Sequence, residues 1–299
     1  MPTDLSPTRS AVIVRDSGGL GLPFSRGLMA TSILATGAET DQAYAIASEI
    51  QGALDQRGIA SIEAGELAVL AARTIDRHAG PQLAARYQTW RELRRDGRPL
   101  LVVLGGAPGV GKSTISTRLA VRFGITRIVT TDTIREVLRT VIPPSVLPEL
   151  HVSTYESVGT GIDPGEVYLR QARVVGGALV AVTRRLMTER RSVIVEGVHL
   201  LPGELLAALG EHASRPVAVE LLLTLDDQAV HLAHLQARSG NEPGRGGQRS
   251  LEQFAVIRTL HDLLAGRARN GGVEVLDLAQ PRRLTERLLE RLFASAGAL

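Results

Sequence analysis

The single lysine of this chain lies in a glycine-rich segment, which indicates a site that arginine would not serve. The 299 residues contain 34 Lys and Arg residues together, and all except Lys112 are arginine. A compact ammonium group fits between two phosphate groups, whereas a planar guanidinium group is wider. Residues 106–113 read GAPGVGKS, which matches the phosphate-binding loop G-x-x-x-x-G-K-[ST].

This loop predicts a site for a nucleoside triphosphate with Mg²⁺. We expect Lys112 to contact the β and γ phosphates and Ser113 to ligate the metal, while successive backbone N–H groups surround the phosphates. The alternative is an accidental glycine-rich turn. The residues predicted to bind the nucleotide are Gly106, Ala107, Pro108, Gly109, Val110, Gly111, Lys112, Ser113 and Thr114.

A second candidate is Asp132, within residues 130–136, TTDTIRE, just after an apolar segment. At the carboxyl end of a strand it would lie beside the phosphates, where it could orient or deprotonate an acceptor hydroxyl as a catalytic residue. Arg135 would hold an anionic group of the substrate through a bidentate contact. The alternative is a helix cap, in which Thr131 or Asp132 caps a helix that starts near Ile134.

A third candidate is Glu196, which ends the apolar segment of residues 192–199, SVIVEGVH. A carboxylate at the end of a buried strand is expected to support the Mg²⁺ or to position the acceptor. The alternative is a carboxylate that faces solvent. For His199 the sequence leaves a structural role and a substrate contact equally open.

An arginine-rich segment, residues 238–249, completes the set of candidates. Its glycines and proline indicate a loop that closes over the phosphates, with Arg245 as a catalytic charge and Arg249 as a substrate contact. The alternative is an exposed linker. His231 and His234, three residues apart, lack a carboxylate partner and are predicted to be ordinary histidines on a helix face.

The elements around these candidates indicate an α/β protein with a P-loop on a parallel sheet. Near-continuous apolar strands alternate with helices, which predicts a parallel sheet covered by helices on both faces. The predicted strands are 100–104, 127–130, 192–196, 216–224 and 273–277, and the predicted helices are 112–123, 165–190, 226–237 and 250–269. Before them, a strand at 11–15 opens a hairpin, and helices at 25–36, 40–57 and 64–78 indicate a small, mainly helical module. A polar helix at 81–97 would connect the two parts, giving domains 1–90 and 91–299.

The composition excludes several classes of function. There is no cysteine, so disulfides and thiolate catalysis are excluded. No apolar run approaches the roughly 18 residues of a membrane span, and the N-terminus lacks the layout of a signal peptide, so we expect a cytoplasmic protein without a membrane partner. A net charge of +3 and an aromatic content of 3% argue against nucleic acid as a partner.

Taken together, the motifs resemble those of the 2-phosphoglycerate kinase family. The resemblance rests on GGAPGVGKST, TTDTIREVLRTVIP, SVIVEGVHLLPG and FAVIRTLHDLLAGRARNGGVEV. The segments VIVRDSGG and PFSRGLMATSILATGAETDQAYAIASEI resemble the ATP-cone module that precedes the kinase domain in that family, although Val14 and Arg15 stand where the module usually has Lys-Arg.

This resemblance covers about residues 8–295. It implies transfer of the γ-phosphoryl group of ATP, with Mg²⁺, to the 3-hydroxyl of 2-phosphoglycerate to give 2,3-bisphosphoglycerate.

Other functions stay open at this point. The acceptor could be another small anionic alcohol, or the chain could be a nucleotide-binding regulator with little turnover. A polynucleotide kinase is a third alternative, which the low net charge disfavours. A GTPase is excluded, because its Asn-Lys-x-Asp motif needs a second lysine. The sequence leaves a homo-oligomer open.

Overall fold

The chain forms two compact units, Met1–Arg95 and Asp96–Leu299. The structure is a computed structural model, and it describes residues 12–16, 18–19, 21–155, 163–241, 251–279 and 281–297. Within these ranges no helix is both long enough and apolar enough to cross a membrane.

Among its described residues, the first unit contains a three-stranded sheet and four helices. Strand β1 (Ile13–Arg15) pairs antiparallel with β2 (Gly21–Pro23) and parallel with β3 (Ser61–Glu63). The helices are α1 (Arg26–Leu34), α2 (Thr40–Arg57), α3 (Ala64–Ala79) and α4 (Pro81–Arg95). The hairpin and the first three helices were predicted from the sequence, and the side chain of Ser25 caps α1 by accepting from the N–H of Leu28 at 3.3 Å.

Two features of this unit differ from the prediction. β3 was not predicted, because three residues between two helices are too few to show a period of two. The predicted polar connecting helix is α4, and one face of it is apolar: Ala84 and Tyr87 join the apolar core of the first unit. The boundary predicted between residues 90 and 91 lies inside α4.

The second unit is built on five parallel strands. They are β4 (Leu100–Gly105), β5 (Ile128–Thr130), β6 (Val193–Gly197), β7 (Val217–Thr224) and β8 (Glu274–Asp277), in the spatial order β5-β6-β4-β7-β8. The helices are α5 (Lys112–Phe123), α6 (Thr131–Val141), α7 (Pro164–Thr188), α8 (Glu204–Leu209), α9 (Gln228–Asn241), α10 (Phe254–Asn270) and α11 (Pro281–Gly297). A short 3₁₀ helix spans Pro148–His151. All five predicted strands are present.

Burial explains why these strands are apolar throughout. Every residue of the central strand β4 is buried, so helices cover both faces of the sheet. On one face, Leu101 and Val103 belong to a core that includes Val175 and Leu179 of α7. Leu222 of β7, which pairs with Gly105 and so lies on the same face, belongs to a second core with residues of α7 and α10. The predicted fold class, an α/β sheet of the P-loop kinase type with a small N-terminal module, is confirmed.

Register places the candidate residues at one edge of this sheet. In the parallel pairing, Glu196 of β6 stands beside Leu104 of β4 on one side and beside Thr130 of β5 on the other. The carboxyl ends of parallel strands share one edge, which is where open α/β sheets bind their ligands. The segments after β4, β5 and β6 therefore meet at that edge.

Candidate active site

The phosphate loop follows β4 and is packed too closely for larger residues at two of its glycines. Gly106 has a φ of +151°, and a Cβ there would lie 2.5 Å from the carbonyl oxygen of Leu223. Gly109 has a φ of +82°, and its Cβ would lie 2.5 Å from the side chain of Leu235. Both the backbone conformation and the available space therefore require glycine at these two positions.

Lys112 is the first residue of α5 and its ammonium group lies across this loop. Its Nζ donates a hydrogen bond of 2.8 Å to the carbonyl oxygen of Ala107, five residues earlier in the chain. The helix N-terminus adds a partial positive charge at the same place. The ammonium group is therefore held at the loop, where an anionic ligand would meet it.

Ser113 and Glu196 are in direct contact. The Ser113 hydroxyl donates to Oε1 of Glu196 at 2.8 Å, and Glu196 is only 5% exposed at the end of β6. The predicted alternative, a carboxylate that faces solvent, is therefore wrong. A hydroxyl and a carboxylate oxygen are the kind of hard ligands that Mg²⁺ prefers.

The donor set fits a magnesium ion that is shared with phosphates. Within the described ranges, no cluster of three or more His, Asp or Glu side chains could hold a metal alone. Mg²⁺ in nucleotide sites usually takes one or two protein ligands and completes its octahedron with waters and phosphate oxygens. Ser113 and Glu196 supply that number.

Asp132 lies in the first turn of α6 and does not cap the helix. The cap is Thr130, whose hydroxyl oxygen accepts from the N–H of Thr133 at 3.1 Å. The predicted capping by Thr131 or Asp132 is therefore wrong. The Asp132 side chain is 74% exposed, with its Oδ1 3.7 Å from Nδ1 of His199. A carboxylate in this position is accessible to a small acceptor.

His199 is buried in a hydrogen-bonded chain beneath Asp132. It is 1% exposed. Its Nε2 lies 2.7 Å from Oε1 of Gln171, and its Nδ1 lies 3.0 Å from the hydroxyl of Thr131. Because the amide nitrogen of Gln171 donates to the carbonyl of Glu149 at 2.5 Å, Oε1 must accept. Nε2 therefore carries the proton, and Nδ1 accepts from Thr131.

The same surroundings keep His199 uncharged. Burial, together with the positive charges of Arg135 and Lys112, lowers its pKa to about 3. A neutral imidazole with both nitrogens satisfied by protein groups holds the start of α6 in place. Of the two roles that the sequence left open for His199, these contacts therefore support the structural one.

Arg135 is largely occupied by the protein itself. Its Nε donates to the carbonyl of Leu150 at 3.0 Å, a second guanidinium nitrogen donates to the carbonyl of Val152, and the side chain is 13% exposed. These bonds attach the 3₁₀ helix and the residue that follows it to α6. The predicted anion contact of Arg135 stays a prediction, and the structure adds a positioning role that the sequence did not show.

The remaining candidate residues are two arginines and two histidines, and the structure describes only the histidines. Arg245 and Arg249 lie outside the described residues, so their predicted roles stay predictions. His234 is exposed on α9, as expected. His231 is not an ordinary surface histidine: it is fully buried, and its Nε2 lies 2.7 Å from the carbonyl oxygen of Pro108 in the phosphate loop. Gln171, Thr131 and His231 were missed because no local pattern marks them.

The second unit has a parallel sheet, a phosphate loop after the central strand and an acidic residue at the end of the neighbouring strand. These features define a P-loop protein of the kinase type. No protein-family model matches the chain. The chain is 35% identical over 263 residues to a 2-phosphoglycerate kinase of Methanopyrus kandleri, covering 86% of this chain and 79% of that protein. It is 35% identical over 277 residues to a 2-phosphoglycerate kinase of Thermococcus kodakarensis, covering 89% of this chain and 91% of that protein.

A third relative, a 2-phosphoglycerate kinase of Pyrococcus furiosus, is 40% identical over 200 residues, or 64% of this chain and 65% of that protein. The chain belongs to the 2-phosphoglycerate kinase family. This confirms the resemblance seen in the motifs and the enzyme class, a phosphotransferase with an alcohol group as acceptor.

Proposed function

We propose that this protein transfers the γ-phosphoryl group of Mg·ATP to the 3-hydroxyl of 2-phosphoglycerate, giving ADP and 2,3-bisphosphoglycerate. The observation that carries the proposal is the contact of Ser113 with Glu196 at 2.8 Å beside the phosphate loop, in a chain that belongs to this family. The contact supports the proposal because a hydroxyl and a carboxylate are the kinds of ligand that a nucleotide-bound Mg²⁺ takes from a protein.

On the nucleotide side, the phosphate loop and Lys112 bind and orient the triphosphate. Backbone N–H groups of the loop, which Pro108 lacks, donate to phosphate oxygens, and the Lys112 ammonium neutralises charge on the β and γ phosphates. Ser113 and Glu196 would hold the metal. When bound, Mg·ATP supplies the phosphoryl group together with the positive charge that screens it.

On the acceptor side, Asp132 orients the 3-hydroxyl and accepts its proton as the new phosphorus–oxygen bond forms and the bond to ADP breaks. Its exposure of 74% supports this role. Arg135 contributes positive charge near the acceptor, and we propose Arg249 as a second contact to its phosphate or carboxylate. Arg245 would stabilise charge on the group in transfer. Phosphoryl transfer of this kind depends mainly on positioning and electrostatics.

The first unit is proposed to be an ATP-cone-like module with a regulatory role, while the kinase domain carries the chemistry. Every residue assigned above lies beyond residue 95, the end of the first unit. Steady-state rates over a wide range of ATP concentrations would test this. A chain that starts at Asp96 should be active and should lose any response to high ATP concentration that the full chain shows.

A panel of acceptors tests the proposed function. ADP formation is measured with Mg·ATP and, separately, 2-phosphoglycerate, 3-phosphoglycerate, glycerate, glycerol 2-phosphate, an oligonucleotide with a free 5′-hydroxyl, and no acceptor. The proposal expects strong stimulation by 2-phosphoglycerate. Preference for another compound would identify a kinase for a different small anionic alcohol. Stimulation by the oligonucleotide would identify a polynucleotide kinase, and none by any compound would favour a nucleotide-binding regulator.

A further inference from the structure

One face of α9 packs directly against the phosphate loop. His231 and Leu235 are one helical turn apart on this face, and they are 0% and 3% exposed. Leu235 is the side chain that a Cβ on Gly109 would meet at 2.5 Å, and Nε2 of His231 would lie 3.3 Å from the same Cβ. The phosphate loop therefore packs against a helix from a distant part of the chain. The contacting residues Pro108 and His231 are 123 residues apart in sequence.

His231 is polarised by a second, partly buried contact. The guanidinium of Arg258, on α10, lies 3.3 Å from Nδ1 of His231 and donates to the carbonyl of Leu225 at 2.7 Å. A guanidinium can only donate, so Nδ1 must be the acceptor, and the imidazole proton is on Nε2. Nε2–H then donates to the carbonyl oxygen of Pro108 at 2.7 Å.

The surrounding groups favour this neutral form. Burial lowers the pKa of His231, and the positive charge of Arg258 acts in the same direction, as do His261 and His234, against the hydrogen bond to Pro108. A proton on Nδ1 would point at the guanidinium. The donor to Pro108 is thus maintained by the fold.

The hydrogen bond determines which way one peptide group of the loop points. In a trans peptide the C=O and the next N–H point in opposite directions. With the carbonyl of Pro108 held toward α9, the N–H of Gly109 is directed away from α9. Peptide groups next to a glycine with positive φ can rotate at low cost, so this orientation needs an external contact to persist.

We propose that His231 is a positioning residue for the nucleotide site, which holds the Pro108–Gly109 peptide so that the N–H of Gly109 faces the phosphates. The inference deepens the proposed function, because it rests on the loop as the ATP site, but it does not depend on the identity of the acceptor. Preorganised donors stabilise phosphate charge without a cost of reorganisation when the ligand binds.

The test compares nucleotide binding by four full-length proteins. Calorimetry measures the Kd of the wild type, His231→Leu, His231→Gln and His234→Leu for Mg²⁺ with the non-hydrolysable analogue adenylyl imidodiphosphate. Leucine fills the space but has no hydrogen-bond donor. We therefore expect the Kd to rise about five- to tenfold, which corresponds to the loss of one neutral hydrogen bond. The glutamine amide nitrogen reaches about as far as Nε2, so His231→Gln should bind within about twofold of the wild type. His234 is exposed on the same helix, and its replacement should change nothing.

Kinetics and melting separate positioning from general stability. We expect His231→Leu to raise the KM for ATP while the KM for the acceptor is unchanged. A folded His231→Leu with the wild-type Kd and KM for ATP would overturn the inference, even if its Tm were lower. If that variant fails to fold, His231→Asn replaces it: its shorter amide cannot reach Pro108, so binding should weaken, and unchanged binding would overturn the inference.

The two proposals fail in different ways. A wild type that binds the analogue but phosphorylates no 2-phosphoglycerate contradicts the proposed function only. An active enzyme whose His231→Leu variant binds the analogue normally contradicts the role of His231 only.

Discussion

Replacing Gly197 with alanine should destabilise the second unit and disturb the start of α6. A Cβ at this position would lie 2.6 Å from both Cβ and Cγ2 of Thr131, and closer still to its hydroxyl oxygen. The φ of Gly197 is +152°, a conformation that residues with a Cβ rarely adopt. Thr131 is fully buried and bonded to His199, so it cannot move aside without breaking that hydrogen bond.

The magnitude follows from two independent costs. A strained backbone conformation costs about 1–3 kcal/mol, and overpacking of a buried site costs about 1–3 kcal/mol. Their sum, about 2–6 kcal/mol, should lower Tm by at least about 4 °C in a unit of this size. Since Asp132 follows Thr131 directly, kcat measured at a temperature where the variant is folded should also decrease.

Gly177→Ala provides a matched control. Gly177 is in the middle of α7, and a Cβ there would have nothing within 4 Å. The same substitution should therefore stabilise the protein by about 0.5–1 kcal/mol, because alanine is the better helix former. Thermal melting followed by circular dichroism compares both variants. A Gly197→Ala protein with the Tm and kcat of the wild type would refute the close packing of Thr131 against β6.

Three further substitutions test the assigned roles. Lys112→Arg keeps the charge but widens the cationic group, and kcat should fall more than tenfold, a loss of transition-state stabilisation above about 1.4 kcal/mol. A smaller decrease in kcat would mean that the compact shape of the lysine ammonium is unimportant. Asp132→Asn should lower kcat far more than it raises the KM for ATP, with an unchanged Tm because Thr130 caps α6; a lower Tm with normal turnover would contradict this. Arg135→Ala removes the guanidinium donor to the carbonyls of Leu150 and Val152, although Val152 still accepts from Gln171 at 3.2 Å; it should cost about 1–3 kcal/mol per lost bond in melting experiments. It should also raise the KM for the acceptor, and an unchanged KM would exclude the anion contact.

Much of this architecture could be predicted because the signals are local. A buried strand that opens into GAPGVGKS predicts β4, the loop and α5 together. Glu196 could be predicted to lie near the loop because the carboxyl ends of parallel strands share one edge, and its contact with Ser113 agrees with that reasoning. The two three-residue strands of the first hairpin were detectable from the turn between them.

The parts that were missed depend on contacts between distant segments. Gln171 is in the middle of a long helix, and only the fold places it against His199 and the carbonyl of Glu149. His231 and His234 look alike in sequence, yet one is buried against Pro108 and the other is exposed. Helix α8, six residues long, and the 3₁₀ helix are too short for a periodic pattern.

Identification of the reaction product tests the proposed reaction most directly. Phosphorus NMR is recorded after incubation of 2-phosphoglycerate and Mg·ATP with the wild type and, separately, with Lys112→Arg. We predict that the wild type forms ADP and 2,3-bisphosphoglycerate in equal amounts, with phosphate esters on both the 2- and 3-oxygens, and that Lys112→Arg forms almost none. ADP with free inorganic phosphate and no bisphosphoglycerate, or unchanged ATP in the presence of the wild type, would contradict the proposed function.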